Sequence, residues 1–427
     1  MATNKRIYLC LARMSDSGLE QRYIQEAFAT NWVAPLGPNV DAFEKDLEGF
    51  IGNAKHIAAL SSCTAAIHLA LLLLGVGKDD EVLCQSFSFC ASSNPVVYCG
   101  AKPVFVDSDS ETWNMSPELL EEAINDRIAK TGRKPKAIIV VDLYGMPANW
   151  ETIEEIAHRY EIPVIEDAAN ALGSTYKGKP CGTFGDIATL SFNGNKIITT
   201  SGGGAIVCKD EDTKKRAIFL ATQAKEPYLY YEHETIGFNY RMSNICAGIG
   251  RGQMTVVNQH IDHHKHVQAL YEELLAGVSG ITVHSQPVCH TDGTDKVPVF
   301  DSNYWLCTIT LDPSLRIKGQ ENAYKTIVTG AVGGAAGVIH AASSAVTDCQ
   351  PNNNVEALRV FMDAAGIEAR PLWKPMHKQP CYKDAPAYLN GVSEAMFKVG
   401  MCLPAGPYVS DEDVRYIVET IKSAIVG

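Results

Sequence analysis

Predicted strands and helices alternate through much of the chain from residue 56, and this alternation limits the possible folds more than any other feature. Short apolar runs that predict strands are separated by segments with helical spacing. The predicted strands are His56–Leu60, Glu81–Gln85, Pro103–Asp107, Ala137–Val141 and Pro163–Glu166, and the predicted helices are Thr64–Leu74, Pro117–Lys130 and Trp150–Tyr160. Such alternation predicts an α/β fold with a mostly parallel central sheet, whose ligands bind beyond the carboxyl ends of the strands. Functional residues are therefore expected directly after strands.

A change of pattern near Met242 predicts a second, smaller domain. One long helical stretch is expected from there to about Leu275, with the domain boundary inside it. This gives a large domain of residues 1–260 and a small C-terminal α+β domain of residues 261–427. Within the small domain, Gly330–Ala345 is rich in glycine and alanine and almost uncharged. It could be an insertion, a substrate loop or a buried interface piece, and its composition favours a loop or insertion.

Charge and cysteine content argue against several classes of protein. The 427 residues carry a formal net charge of −12, which argues against a nucleic-acid-binding surface or a polybasic membrane patch. The 13 cysteines include no C-x-x-C pair, and several lie in strand-like apolar runs, as is typical of a reducing compartment. The longest apolar run, Leu69–Leu74, is too short to cross a bilayer. We expect a cytoplasmic protein.

Two predicted strands end in residues that suit an anionic cofactor. The strand that ends at Leu60 breaks at two serines and opens into a helix, whose first amides and positive dipole end can bind phosphate. The hydroxyls of Ser62 and Thr64 can add donors, although a plain serine N-cap without a ligand would have the same sequence. The other strand, Pro163–Glu166, is followed directly by Asp167, which could pair with a protonated ring nitrogen. A structural cap or a metal carboxylate is the alternative for Asp167.

Lys196 lies in a loop between two further predicted strands. Its amine can attack a carbonyl carbon only when unprotonated, and partial desolvation lowers the pKa of a lysine toward that state. Taken alone, the residue is typical of a solvated surface cation. A phosphate cradle, a strand-end aspartate and a loop lysine, each after a strand, are nevertheless what pyridoxal phosphate needs. The cradle anchors the phosphate, the carboxylate holds the pyridine nitrogen and the lysine forms the covalent link.

Longer motifs carry a family resemblance that covers nearly the whole chain. In order, they are SSCTAAIHLAL, GAKPVFVD, IEDAANALGS, SFNGNK with TTSGGGAIV, GFNYRMSN, IEARPLWKPMH and LPAGPYVSDEDV. Together they resemble the sugar aminotransferases of the DegT/DnrJ/EryC1/StrS family. The resemblance implies the pyridoxal-phosphate-dependent transferase fold of type I, which is like that of aspartate aminotransferase. SFNGNKIITTSGGG and RPLWKPMH are most similar to enzymes that aminate C4 of a UDP-linked 4-keto-6-deoxy-N-acetylhexosamine on the way to bacillosamine-type sugars.

The resemblance also implies roles for individual residues. Lys196 would be the catalytic residue that binds the cofactor covalently, with glutamate as the amino donor. The implied cofactor-binding residues are Cys63, Thr64, Phe89, Asp167, Asn170, Ser191 and Asn239, and the implied sugar-nucleotide residues are Arg241, Trp373 and His377. No metal is implied.

Several of these implied positions carry more detail. Phe89 matches an aromatic residue that stacks on the cofactor ring. Asn239 matches an asparagine that reaches the phosphate of the neighbouring subunit, so the resemblance implies a homodimer with shared active sites. Asn170 stands where the family often has a longer glutamine beside the cofactor's phenolic oxygen, and Cys63 replaces a commoner small residue such as glycine.

Two other functions fit the same scaffold. A dehydratase of this fold would have histidine at the position of Lys196. The lysine found there therefore argues against a dehydratase. A non-catalytic regulator would bind cofactor or sugar nucleotide without turnover. Separately, His260 and His264 are spaced to share a metal on one helix, but the intervening residues lack the metalloprotease glutamate, and a solvated helix face is expected instead.

Overall fold

The computed structural model describes residues 6–52, 55–288, 298–324, 329–332, 339–342 and 349–426. Its strands, in chain order, are β1 (His56–Leu60), β2 (Glu81–Gln85), β3 (Lys102–Val106), β4 (Ala137–Val141), β5 (Val164–Asp167), β6 (Thr175–Tyr176), β7 (Lys179–Pro180), β8 (Ile187–Ser191), β9 (Gly204–Cys208), β10 (Ile281–Val283), β11 (Phe300–Asp301), β12 (Cys307–Leu311), β13 (Thr329–Val332), β14 (Ile339–Ala342), β15 (Arg370–Pro371), β16 (Ala387–Tyr388) and β17 (Gly400–Leu403). Its α-helices are α1 (Leu19–Ala29), α2 (Pro38–Ile51), α3 (Cys63–Leu73), α4 (Asn94–Tyr98), α5 (Pro117–Thr131), α6 (Trp150–Tyr160), α7 (Glu211–Ala221), α8 (Asn244–Met254), α9 (Val257–Leu275), α10 (Asn353–Ala364), α11 (Val392–Val399) and α12 (Asp411–Ala424). In the part of the chain that the structure describes, no helix is both long enough and apolar enough to span a membrane.

An eight-stranded sheet in the order β1-β9-β8-β5-β4-β2-β3-β16 forms the centre of the fold. Within it, β9 runs antiparallel to both of its neighbours, whereas the pairs from β8 across to β16 are parallel. The middle strands β4 and β5 are buried along their whole length, as is typical of parallel strands covered on both faces. Two large apolar clusters, one on each face of the sheet, bury it against the helices. The predicted α/β fold with a mostly parallel sheet is confirmed.

The sheet brings the candidate residues to one edge. Since β1, β5 and β8 point the same way, the residues that follow them lie at the same carboxyl edge. The antiparallel strand β9 starts at this edge, and its first residue, Gly204, lies opposite Leu60 of β1 and Ser191 of β8. The start of α3, the end of β5 and the Lys196 loop are therefore neighbours.

The C-terminal part has its own sheet, in the order β10-β12-β17-β15, and its own apolar core with α9, α10 and α12. It is not wholly separate, because β16 adds a parallel strand to the edge of the central sheet beside β3. The single helix expected from Met242 to Leu275 is wrong, since α8 and α9 are separate helices divided at Thr255 and Val256. The domain boundary near residue 260 stays a prediction.

The Gly330–Ala345 segment falls partly outside the described residues. Its described portions belong to β13 and β14, which pair antiparallel with Val332 opposite Ile339. The backbone of a segment expected to be an irregular loop or insertion thus contains a paired ribbon.

Candidate active site

The Lys196 side chain is half-buried at the carboxyl edge of the central sheet. Its Nζ donates a hydrogen bond to Asn170 Oδ1 at 2.5 Å and lies 3.8 Å from the centroid of the Trp305 ring. Burial lowers the pKa of this amine to about 8, against the smaller opposing effect of the negative charge of Asp167. About a tenth of the amine is therefore unprotonated at pH 7, far more than for an ordinary lysine, and the unprotonated form is the one that a nucleophile or general base requires.

Asp167 is the last residue of β5 and is only 3% exposed. Its Oδ2 accepts a hydrogen bond from Ser92 Oγ at 2.6 Å, and its Oδ1 accepts one from the Ala169 amide at 3.1 Å. Burial nevertheless raises the pKa of this carboxyl, while Ser92, Ala169 and the charge of Lys196 oppose the rise. A cationic group such as a pyridinium nitrogen would stabilise the ionised form of this carboxylate.

The first turn of α3 faces this carboxylate. Ser62 is the N-cap, its side chain accepting from the Ala65 amide at 3.1 Å, so the plain capping role is present. The amides of Cys63 and Thr64 come next, and amides in the first turn have no intrahelical acceptor. The Cys63 thiol lies 3.9 Å from Asp167 Oδ1, which places this turn beside the aspartate. The turn can therefore offer amides to a phosphate close to the carboxylate.

Gly204 and Ser191 complete this corner. A Cβ at Gly204 would lie 2.3 Å from the Cys63 backbone nitrogen, so only glycine allows β9 to pass this close to the start of α3. Ser191 ends β8, is buried and lies opposite Gly204 in the strand register. The predicted residues Cys63, Thr64, Ser191 and Asp167 are thus brought together.

Trp305 and Asn303 are site residues that the sequence did not suggest. The Trp305 indole covers Lys196, and its Nε1 donates to the Asn195 carbonyl at 2.6 Å, which holds the lysine loop. Asn303 Nδ2 donates to the carbonyl of Asn170 at 2.9 Å, which holds the partner of the lysine amine. Both residues precede β12, more than a hundred residues beyond the lysine, and no local pattern marks them.

Aromatic side chains form one wall of the site. The centroid of the Trp373 ring lies 4.7 Å from that of Tyr144, 5.6 Å from that of Phe89 and 6.0 Å from that of Trp305. Phe89 is 54% exposed, so its ring has a face open to a ligand. The predicted residues Phe89 and Trp373 are therefore in contact beside Lys196 rather than in separate parts of the fold.

His377 lies at the carboxyl end of β2. Its Nδ1 is 2.7 Å from Ser86 Oγ, and its backbone amide donates to the same hydroxyl at 3.3 Å. Burial lowers the pKa of the imidazole, so the neutral ring prevails at neutral pH. This neutral ring can take part in hydrogen bonds with an uncharged sugar group.

The Arg241 guanidinium makes its hydrogen bonds to buried groups of the protein itself. Its Nη1 donates to Glu44 Oε1 at 2.7 Å and to the Ala59 carbonyl at 3.0 Å, and both charged side chains are less than a tenth exposed. Its expected contact with a sugar nucleotide stays a prediction. Asn239, two residues earlier, has an exposed side chain, and its expected reach into a neighbouring subunit also stays a prediction.

The ion pair of Arg241 yields a test of stability. We expect Arg241→Ala to lower the free energy of unfolding by about 3 kcal/mol, the low end for a broken buried ion pair, because Lys214 at 3.3 Å remains as one cationic partner of the Glu44 carboxylate. Urea unfolding of the variant measures this loss. The matched control is Arg22→Ala, which breaks an exposed pair with Glu26 and is expected to change stability by less than about 0.5 kcal/mol. Equal effects of the two variants would contradict a structural role for Arg241.

The expected solvated face for the α9 histidines is wrong for two of them. His260 and His264 are buried, and their Nδ1 atoms lie 3.0 Å from the Ile197 carbonyl and 3.2 Å from the Tyr304 carbonyl. Those carbonyls adjoin Lys196 and Trp305 in the chain. The two histidines therefore hold the segments on both sides of the lysine amine, a role that spacing along a helix does not reveal.

Known proteins of similar sequence and structure agree with the fold and the site described above. The model of the DegT/DnrJ/EryC1/StrS aminotransferase family matches residues 15–321 and 320–422. Bacillus subtilis EpsN, which carries the provisional name of a pyridoxal phosphate-dependent aminotransferase, is 42% identical over 425 residues, covering 98% of this chain and 95% of EpsN. The GDP-perosamine synthase of Escherichia coli O157:H7 is 33% identical over 415 residues, covering 97% of this chain and 98% of the synthase. A solved DegT DnrJ EryC1 StrS aminotransferase from Brucella abortus superposes with a TM-score of 0.79 at 26% identity, with 95% of each chain covered.

Proposed function

Since the chain belongs to the DegT/DnrJ/EryC1/StrS aminotransferase family, we propose that it transfers an amino group from glutamate to C4 of a nucleotide-linked 4-keto-6-deoxysugar. The enzymes of this family depend on pyridoxal phosphate and act on nucleotide sugars, and this chain is one of them. The donor, the carbon position and the sugar are the proposed parts. The product would serve the synthesis of surface glycans.

One observation carries the proposal: a desolvated lysine amine lies at the same edge of the sheet as a buried carboxylate and the first turn of α3, whose Cys63 and Thr64 amides have no intrahelical acceptor. These groups fit pyridoxal phosphate in both charge and chemistry. Asp167 would hold the pyridine nitrogen, and the first turn of α3 with Ser191 would hold the phosphate. Phe89 would cover the ring. When bound, pyridoxal phosphate supplies the carbonyl that exchanges amines and the ring that withdraws electrons from the reacting carbon.

Lys196 would move the proton in both halves of the reaction. With its pKa lowered to about 8 by burial, Nζ can accept the α-proton of the amino donor and later return a proton at the sugar carbon. Asn170 Oδ1 gives the amine a fixed hydrogen-bond acceptor, and the Trp305 ring limits its contact with water. The amine is thus held in reach of the reacting atoms without being fully solvated.

Side chains that line the site and the family resemblance support the choice of sugar. The partly exposed ring of Trp373, which packs against the buried Tyr144 and Trp305, suits the apolar face of a deoxysugar, and the neutral His377 suits a hydroxyl or keto oxygen. Resemblance of the Lys196 segment and of RPLWKPMH to C4 aminotransferases of UDP-linked sugars favours C4. The similar synthase is named for a GDP-linked sugar, so both UDP-linked and GDP-linked sugars are tested.

A homodimer with shared active sites is part of the proposal. It is supported by the exposed side chain of Asn239, which the family resemblance assigns to the partner's cofactor, and by neighbouring exposed side chains such as Leu229 and Tyr231. Light scattering should give twice the mass of the 46.4 kDa chain, and a monomer that is fully active would contradict it.

The decisive experiment is an assay of purified, cofactor-loaded protein with glutamate and four ketosugars. The panel combines UDP and GDP with a 3-keto and a 4-keto-6-deoxyhexose, and each reaction is followed by 2-oxoglutarate release and by NMR of the sugar. We expect turnover with a 4-keto sugar and a new C4 amine. Amination at C3 would overturn the assigned position. Loss of the hydroxyl group next to the keto carbon, with no new amine on the sugar, would indicate the dehydratase, and cofactor binding without any turnover would indicate the regulator.

A further inference from the structure

A pair of buried acids lies behind the carboxylate that faces the site. Asp142 directly follows β4, Glu166 lies in β5 next to Asp167, and both are fully buried. One carboxylate oxygen of each residue and the Cys181 thiol lie within 4.8 Å of one another. Because successive side chains of a strand point to opposite faces, Glu166 faces away from the side on which Asp167 meets the site.

Backbone amides occupy both oxygens of Glu166. Oε1 accepts from the Gly182 amide at 2.6 Å, and Oε2 accepts from the Phe184 amide at 2.7 Å. The carboxyl group thereby fixes the turn that leads into β8. Any replacement of Glu166 must supply two acceptors in these two places.

Only one of the two carboxylate oxygens of Asp142 accepts hydrogen bonds from N–H groups. Its Oδ1 accepts from the Ala148 amide at 2.9 Å and from Trp150 Nε1 at 3.0 Å. Its Oδ2 is buried and accepts no hydrogen bond from an N–H or hydroxyl group of the described residues when both acids are taken as ionised, and the neighbouring Cys181 thiol is only a weak donor. An unsatisfied buried oxygen next to a second carboxylate is unfavourable unless a proton lies between them.

We propose that Glu166 is protonated at neutral pH and donates its proton to Asp142 Oδ2, forming a buried acid–carboxylate pair that positions the end of β5 and with it Asp167. The pair ties the end of β4 to the middle of β5, so both residues act as positioning residues. A proton fits better than a metal ion, because N–H donors already occupy three of the carboxylate oxygens and leave Oδ2 as the open acceptor.

Charges around the pair agree with a single shared proton. Burial raises the pKa of Asp142 to about 6 and that of Glu166 well above its usual value, with the charge of Asp142 adding to the rise at Glu166. The other titratable groups that act here are the Cys181 thiol and the half-buried Lys55, whose positive charge interacts with Glu166 from the start of β1. Asp301 acts on Cys181 from β11. Lys55 alone cannot neutralise two buried carboxylates.

The shared proton has a signature in the pH dependence of stability. Because the pKa of Glu166 is raised in the folded state, the folded protein binds one more proton than the unfolded chain above the ordinary glutamate pKa. The contribution to stability is complete at acidic pH and is lost as the pH rises toward the folded pKa. Between the ordinary glutamate pKa and the folded pKa of Glu166, one proton corresponds to about a tenfold rise in the unfolding equilibrium constant per pH unit.

A matched pair of isosteric variants tests this arrangement in the cofactor-loaded enzyme. Asp142→Asn keeps Oδ1 as an acceptor for Ala148 and Trp150 and places an amide donor toward an ionised Glu166. Its urea midpoint should fall less steeply than that of the wild type as the pH rises from the ordinary glutamate pKa toward the folded pKa of Glu166. Glu166→Gln must aim its amide at the Gly182 or Phe184 amide, two donors facing each other, so its midpoint should be lower at every pH.

Infrared spectroscopy gives a second readout that packing alone would not change. The wild type should show the carbonyl band of a protonated carboxyl at neutral pH, shifted in D₂O, and both variants should lose it. The proposal is overturned if Asp142→Asn keeps the wild-type pH slope, if the band is absent from the wild type, or if metal analysis finds a stoichiometric cation that Asp142→Asn removes. These outcomes do not depend on the enzyme's substrate, so they are separate from the test of the proposed function.

Discussion

Replacing Lys196 with alanine is expected to lower turnover by roughly three orders of magnitude or more. The change removes both the covalent anchor of the cofactor and the group that moves the proton, and a positioned acid–base group alone is worth roughly 10²–10⁴ in rate. Release of 2-oxoglutarate from glutamate measures the loss. The visible absorption band that depends on the lysine link should disappear as well.

Two further variants make the result specific. Lys196→Arg keeps a positive charge near Asp167 but supplies no nucleophilic amine, so it should be as inactive as the alanine variant. Lys177→Ala removes an exposed lysine that pairs with Glu151, and it should retain full activity. Persistence of turnover or of the absorption band in Lys196→Ala would show that another group performs the chemistry.

The position of Lys196, Asp167 and α3 could be predicted because the fold itself aligns them. Each follows or ends a strand of one sheet, and strands that run the same way bring the residues at their carboxyl ends to one edge. Periodicity along the chain is enough to find such strands, as the confirmed central sheet shows. The expectation that functional residues follow strands therefore came from the backbone pattern alone.

Residues that hold this set in place could not be found in the same way. Trp305 reaches Lys196 from before β12, and His260 reaches the Ile197 carbonyl from α9, so both contacts depend on packing between distant parts of the chain. The spacing of the histidines indicated a solvated face because helical periodicity does not say which neighbouring segment will cover that face. Arg241 is a second example. The sequence suggested that it contacts a ligand, and it did not indicate the buried partner Glu44, which lies on α2 nearly two hundred residues earlier.

The glycine run after Lys196 shows where sequence and structure support each other. Glycine is favoured where the backbone of one element passes very close to another, and in the run Gly202–Gly204 the structure assigns that purpose to Gly204 in particular. Both neighbouring strands pair with this residue, opposite Leu60 and Ser191, so its backbone cannot shift easily. An added methyl group would meet the backbone of Ser62 and Cys63 at 2.5 and 2.3 Å rather than a movable side chain.

Gly204→Ala is therefore expected to lower the free energy of unfolding by about 1–3 kcal/mol, the usual cost of overpacking, and to weaken cofactor binding. The clash must push the first turn of α3 away from β9, and that turn is the proposed phosphate site. Thermal unfolding measures the first effect, and equilibrium dialysis of pyridoxal phosphate measures the second.

Gly202→Ala is the matched control, because a Cβ there meets nothing within 4 Å. It should leave both quantities within about 0.5 kcal/mol of the wild type, or stabilise the fold slightly by restricting the unfolded chain. Equal cofactor affinity in the two variants, with Gly204→Ala still folded, would mean that the start of α3 does not hold the phosphate. Loss of affinity in Gly204→Ala alone would tie that turn to the anion, since the two substitutions add the same methyl group two residues apart.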